Sequence, residues 1–119
     1  MKKILIIEDE STTVVLLRKL LEGKGYEVVS AGDGMEGYVM IKEENPHLII
    51  LDVHMPNLDG YGLIREINET KSKYKIPIIV MTANEGLEEK FKTLGVAHYF
   101  TKPFDTAKLL EAVNGILNR

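Results

Sequence analysis

Leu48-Ile49-Ile50-Leu51-Asp52 is the stretch from which the rest of the chain can be read. Four apolar residues in a row, bounded by polar loops, make a strand buried on both faces. A carboxylate at the C-terminal tip of such a strand is held at the rim of a parallel sheet, where open α/β folds bind their ligands. Two further runs end in the same way: Ile4-Leu5-Ile6-Ile7 leads into Glu8 and Asp9, and Ile78-Ile79-Val80-Met81 leads into Thr82. A fourth run, His98 to Thr101, leads into Lys102. Three acids, a hydroxyl and an ammonium are thereby brought toward one sheet edge, a set of groups suited to phosphate and metal.

Working outward, five short β-rich runs alternate with five helical patterns, which is the signature of a βα repeat around a parallel sheet. Strands are expected at about Lys3–Ile7 and Glu27–Ala31, and then ending near Asp52, Thr82 and Thr101. The first helix starts near Ser11 or Thr12 and carries Val14, Val15, Leu17, Leu20 and Leu21 at helical spacing; Gly23 or Gly25 stops it. Asp33 caps the second, whose Met35, Tyr38, Val39 and Ile41 are expected to face inward before Pro46. The third follows Asp59-Gly60 with Leu63, Ile64 and Ile67. The fourth, with Leu87, Phe91 and Leu94, is short and weakened by Gly86 near its start. Asp105 caps the last, which buries Leu109, Leu110, Val113, Ile116 and Leu117. The pattern predicts one domain over residues 1–119, with helices on both sheet faces; it does not by itself give the strand order.

Composition narrows the function classes. The chain has 119 residues, 45% hydrophobic and 28% charged, as a globular domain requires. A net charge of −3 gives no basic footprint for direct nucleic-acid binding. With no cysteine, a disulfide framework, a thiolate metal site and a cysteine nucleophile are all excluded. No apolar stretch approaches the roughly 20 residues of a membrane span, and the four apolar residues after Lys3 are too few for a signal peptide. A soluble, cytoplasmic protein is expected, with no membrane insertion.

Glu8 and Asp9 serve one site only where the strand gives way to a loop, because side chains alternate along a strand. Like charges about 4 Å apart repel by roughly 4 kcal/mol at an effective dielectric of about 20. Glu8, Asp9 and Asp52 therefore need a cation to share a pocket. A hard divalent ion with oxygen ligands supplies it, and Mg²⁺ suits a site that leaves positions for water and phosphate. Lys102 can act as a point charge against a phosphoryl oxygen, and Thr82 can donate its hydroxyl to the same oxygen. Taken singly, each has an ordinary reading: a solvated acidic loop, a surface lysine, a strand-end threonine. His47, His54 and His98 lack the spacing of a zinc motif.

Together the residues match a pattern. Ile6-Ile7-Glu8-Asp9-Glu10, Leu51-Asp52-Val53-His54-Met55-Pro56-Asn57-Leu58-Asp59-Gly60, Met81-Thr82-Ala83 and Thr101-Lys102-Pro103-Phe104 occur in order, each at the end of an expected strand. Over essentially its whole length the chain resembles a response-regulator receiver domain of two-component signalling. The resemblance implies a flavodoxin-like doubly wound sheet of order 2-1-3-4-5, with Asp52 accepting a phosphoryl group from the phosphohistidine of a sensor histidine kinase or phosphotransfer protein. It implies Asp9, Asp52 and the backbone carbonyl of His54 as direct Mg²⁺ ligands, with Glu8 acting mainly through water. Lys102 and Thr82 would hold the phosphoryl oxygens, and Tyr99 matches the aromatic switch position. The output is then a change in the face built from helix four, strand five and helix five, read by a downstream target protein or effector domain. Such a module catalyses only its own phosphorylation and dephosphorylation. His54 and Asn84 are expected to tune phosphoryl lifetime, and the Lys102–Pro103 bond is suggested to be cis. The pair here is Glu-Asp where Asp-Asp is common, but the longer Glu8 still reaches a metal-bound water. Both a stand-alone receiver and the receiver of a longer regulator fit the sequence.

Three rival readings meet obstacles. An aspartate-nucleophile phosphohydrolase wants a second acid two residues after the nucleophile, where this chain has His54. A flavodoxin-like flavin carrier needs a phosphate-cradling loop after strand one, where Glu8-Asp9-Glu10 repels phosphate. A degenerate receiver acting only as a binding module should have lost chemical positions, and none is lost.

Overall fold

The computed structural model describes residues 1–53, 60–70, 76–83, 86 and 88–118. Five strands alternate with five helices: β1 (Lys3–Ile7), α1 (Ser11–Glu22), β2 (Glu27–Ala31), α2 (Gly34–Glu44), β3 (Leu48–Asp52), α3 (Gly60–Thr70), β4 (Ile78–Thr82), α4 (Glu88–Thr93), β5 (His98–Thr101) and α5 (Thr106–Leu117). All strand pairings are parallel and the order is β2-β1-β3-β4-β5, so β1 crosses to β3 and the sheet is doubly wound. This is the flavodoxin-like order expected above.

The three central strands consist of apolar runs because helices cover both of their faces. Alternation divides the core in two. Ile4, Ile6, Leu48, Ile50, Ile79 and Met81 face α1 and α5, meeting Leu17, Leu21, Leu109 and Val113. Leu5, Ile7, Ile49, Leu51, Ile78 and Val80 face the other side, against Ile41, Leu63, Ile64, Ile67 and Phe91.

Local chemistry sets the helix ends. Asp33 accepts from the Glu36 amide at 2.8 Å, while Glu36 Oε2 accepts from the Gly32 amide at 3.3 Å, a reciprocal box that starts α2. Asp105 accepts from the Ala107 and Lys108 amides at 2.9 and 3.2 Å and starts α5 as expected. After α1, Gly23 stays right-handed and the chain turns at Gly25, whose φ of 90° favours glycine. The expected caps and fillers Pro56, Asp59 and Leu87 lie outside the described residues.

Two helix faces differ from expectation. In α2, Met35 is 81% and Val39 45% exposed, and the buried face is instead built by Gly37 and Ile41. In α1, Val15 is 53% exposed, because Leu17 and Leu21 set the inner stripe and residue 15 lies across the helix from them. Gly37 is what lets α2 approach: a Cβ there would stand 2.6 Å from Ile7 Cδ1 and 3.0 Å from Cγ1. Gly37→Val is therefore expected to lose about 1–3 kcal/mol to overpacking, read as a lower urea midpoint. An unchanged midpoint would contradict this docking of α2.

Candidate functional site

The C-terminal tips of β1, β3 and β4 and the residue after β5 carry the chemistry. Asp52 is the last residue of β3 and pairs in register with Met81, while Thr82 pairs with Thr101. The Lys102 amide donates to the Thr82 carbonyl at 2.8 Å, which fixes where the lysine departs from the sheet. The Glu8 amide donates to Ala31 at 3.0 Å and fixes the exit of β1.

Glu8, Asp9 and Asp52 each offer a carboxylate oxygen, and these oxygens lie within 4.8 Å of one another. Glu8 and Asp52 are buried, at 3% and 5% exposure, whereas Asp9 is exposed. Lys102 Nζ bridges the two buried acids, donating to Glu8 Oε1 at 2.5 Å and Asp52 Oδ2 at 3.1 Å. Thr82 is fully buried beside them in the sheet. The Lys102–Pro103 peptide bond is cis, as the resemblance suggested.

Electrostatics follow from burial and a shortage of positive charge. Burial pushes Glu8 up to about 7, with Asp52 adding to the rise; the Lys102 ammonium and the Glu10 amide oppose it without winning. Burial alone would lower Lys102, but Glu8 and then Asp52 outweigh it and hold the ammonium above its ordinary range. Among the described residues, one cation shared by two buried carboxylates, with a third acid at the rim, leaves the site short of positive charge. A hard cation with oxygen ligands fits that deficit, and Mg²⁺ accepts such a partial protein shell.

A pH consequence can be checked. Glu8 binds its proton more tightly folded than at its ordinary value of 4.5, so stability is lost as pH rises from about 4.5 to about 7. In chelator, the melting temperature of the wild type relative to Glu8→Gln should fall across this window. A constant difference would contradict the assignment.

The structure thus brings together Glu8, Asp9, Asp52 and Lys102, with Thr82 on the adjacent strand end. Tyr99 sits on β5, half-buried and stacked on Phe91 at 6.1 Å between ring centroids. His54 and Asn84 lie outside the described residues. The sequence reading missed the direct ion pair of Glu8 with Lys102, and the contact of Phe91 with Tyr99. Neither leaves a local signal, since the paired residues are joined only by the topology.

Residues 4–114 match the response regulator receiver domain, and the chain belongs to that family. Among curated relatives, Protein PilH of Pseudomonas aeruginosa is 32% identical, with 98% of each chain covered. The alkaline phosphatase synthesis transcriptional regulatory protein PhoP of Bacillus subtilis is 39% identical over 99% of this chain but 49% of its own length. The chain thus spans about half the length of the first curated relatives it matches. Among solved structures, the response regulator TrrA of Thermotoga maritima, in complex with Mg(2+)-BeF, superposes with a TM-score of 0.88. It is 32% identical, with 98% of this chain and 100% of that one covered. The protein is a receiver domain of response regulators, a signalling module whose acidic pocket of Glu8, Asp9 and Asp52 fits the Mg²⁺ phosphoacceptor site. The phosphohydrolase reading finds no support in these similarities. No described helix is long and apolar enough to cross a membrane.

Proposed function

We propose that residues 1–119 act as one cytoplasmic receiver domain in which Asp52 is phosphorylated by the phosphohistidine of a sensor kinase or phosphotransfer protein. The observation that carries this reading is the Lys102 ammonium bridging Asp52 and Glu8 at the strand tips, beside a third acid. An Asp52 carboxylate oxygen attacks phosphorus, the P–N bond breaks, and its electron pair returns to the donor imidazole. Transfer of this kind is mainly positioning and charge neutralisation. Lys102, already on Asp52, meets the charge that arrives with the phosphoryl oxygens, and Thr82 donates its hydroxyl to one of them. Asp9, Asp52 and the His54 carbonyl would hold Mg²⁺, with Glu8 acting through water; the bound ion supplies positive charge against the phosphoryl oxygens. Water later cleaves the acyl phosphate at phosphorus, which regenerates the carboxylate and ends the signal.

The added charge and acceptor oxygens draw Thr82 toward them, and Tyr99 turns inward behind it. The face of α4, β5 and α5 then presents a different surface to a downstream protein or effector domain, without direct nucleic-acid binding by this domain. Incubation with acetyl phosphate tests the reading. Intact mass should show one added phosphoryl group with Mg²⁺ and none in chelator. No adduct together with no Mg²⁺ binding would overturn it.

A further inference from the structure

We propose that Phe91 of α4 is a positioning residue that holds Tyr99 in its resting place and couples it to the chain leaving Asp52. This rests on the phosphoacceptor reading above and deepens it. Phe91 is 1% exposed, and its ring stacks on Tyr99 at 6.1 Å with 30° between planes. Its other contact lies toward the phosphoacceptor strand. A Cβ built on Gly60, the first residue of α3, would stand 3.6 Å from Phe91 Cζ and 2.9 Å from Cγ1 of Val53. Val53 follows Asp52 directly. Val53 and the Phe91 ring thus both border the space in front of Gly60, and the same ring stacks on Tyr99.

Close-packed interiors transmit displacement because they have little free volume to absorb it. Val53, Phe91 and Tyr99 pack in one cluster, so a shift of Val53 relative to α3 presses on the space bordered by Phe91, whose ring carries Tyr99. α4 is suited to yield. It has six residues, its charged side chains Glu88, Glu89, Lys90 and Lys92 are exposed, and Phe91 is its buried residue. Its far end is tied to α3 by the Asn68 side chain, whose Nδ2 donates to the Leu94 carbonyl at 3.2 Å. Phe91 can thus swing about a fixed C-terminal end.

Shortening the side chain opens room beside Tyr99 and should favour the inward state before any phosphoryl mimic binds. The test uses 3-fluorotyrosine-labelled protein, with the Tyr99 ¹⁹F resonance assigned by Tyr99→Phe, and beryllofluoride with Mg²⁺ as the probe. In Phe91→Leu, the ligand-free resonance should move toward its beryllofluoride-bound position, and beryllofluoride affinity should rise roughly 3-fold to 10-fold. Leu109→Ala, an equally buried truncation on the other sheet face, should leave the Tyr99 resonance in place. A stationary resonance with unchanged affinity in Phe91→Leu would overturn the proposal, as would an equal shift in Leu109→Ala. A wild type that binds no beryllofluoride, or binds it equally well as Asp52→Asn, overturns the phosphoacceptor reading and this proposal with it.

Discussion

Asp52→Asn should abolish the Mg²⁺-dependent phosphoryl gain and at the same time raise the stability of the metal-free protein. The first effect is chemical: an amide lacks the nucleophilic oxygen and cannot form the acyl phosphate. The second comes from the balance of charges. Asp52 is buried beside Glu8 and Asp9, with one ammonium shared between it and Glu8. Above about pH 7, where Glu8 is ionised, a like-charge pair about 4 Å apart costs roughly 4 kcal/mol at an effective dielectric of about 20. The charge-assisted bond from Lys102 to Asp52 is worth about 1.5–3 kcal/mol. Asp9 is exposed and adds less, but repulsion still outweighs the lost bond, so the variant should melt higher in chelator. Mass spectrometry and thermal denaturation on one preparation check both signs. A variant that is phosphorylated like the wild type would remove Asp52 from the role assigned to it.

Lys102→Met should move two readouts in opposite directions. Phosphorylation by acetyl phosphate should slow on the order of 10²-fold to 10³-fold, the usual cost of removing one preorganised donor from a site of developing charge. Mg²⁺ should bind more tightly, because the ammonium now on Glu8 and Asp52 competes for the same carboxylates. A purely structural lysine would weaken both together. In chelator the variant should also be less stable than the wild type, since truncating Lys102 removes the ammonium that the buried Glu8 and Asp52 share. Mg²⁺ should restore part of that loss. Isothermal titration with Mg²⁺ and single-turnover phosphorylation separate these cases.

How far the sequence could be read depended on whether the signal was local. The central strands β1, β3 and β4 announced their own ends, because a run buried on both faces stops abruptly at a polar residue. Lys3–Ile7 and Glu27–Ala31 are observed with the bounds read from the pattern. That abruptness placed Asp52 and Thr82 at strand tips, and the run His98 to Thr101 placed Lys102 just beyond one, so the composition of the candidate site was legible. Its internal pairing was not. Glu8 and Lys102 are 94 residues apart, and β3 and β4 lie between their strands. Only the long lysine side chain crossing the sheet edge brings them together. The strand order itself came from family resemblance, since a βα alternation is compatible with several.

The error on α2 has a local cause. Hydrophobic spacing finds a helix but misjudges its inner face when close approach is achieved by a small residue. Gly37 carries no hydrophobic signal, yet it sits against Ile7 and turns Met35 and Val39 outward. Phe91 illustrates the complementary limit. Its burial was legible from spacing, but its stacking on Tyr99 required β5 and α4 to be placed side by side.

The central claim, that Asp52 carries an acyl phosphate, is tested most directly by borohydride reduction. The protein is incubated with acetyl phosphate and Mg²⁺, reduced, digested and mapped by tandem mass spectrometry. An aspartyl phosphate is reduced to homoserine, so homoserine should replace Asp52 and no other acid in the chain. Homoserine at Asp9 or elsewhere, or an unreduced Asp52 in protein that had gained a phosphoryl group, would contradict the account.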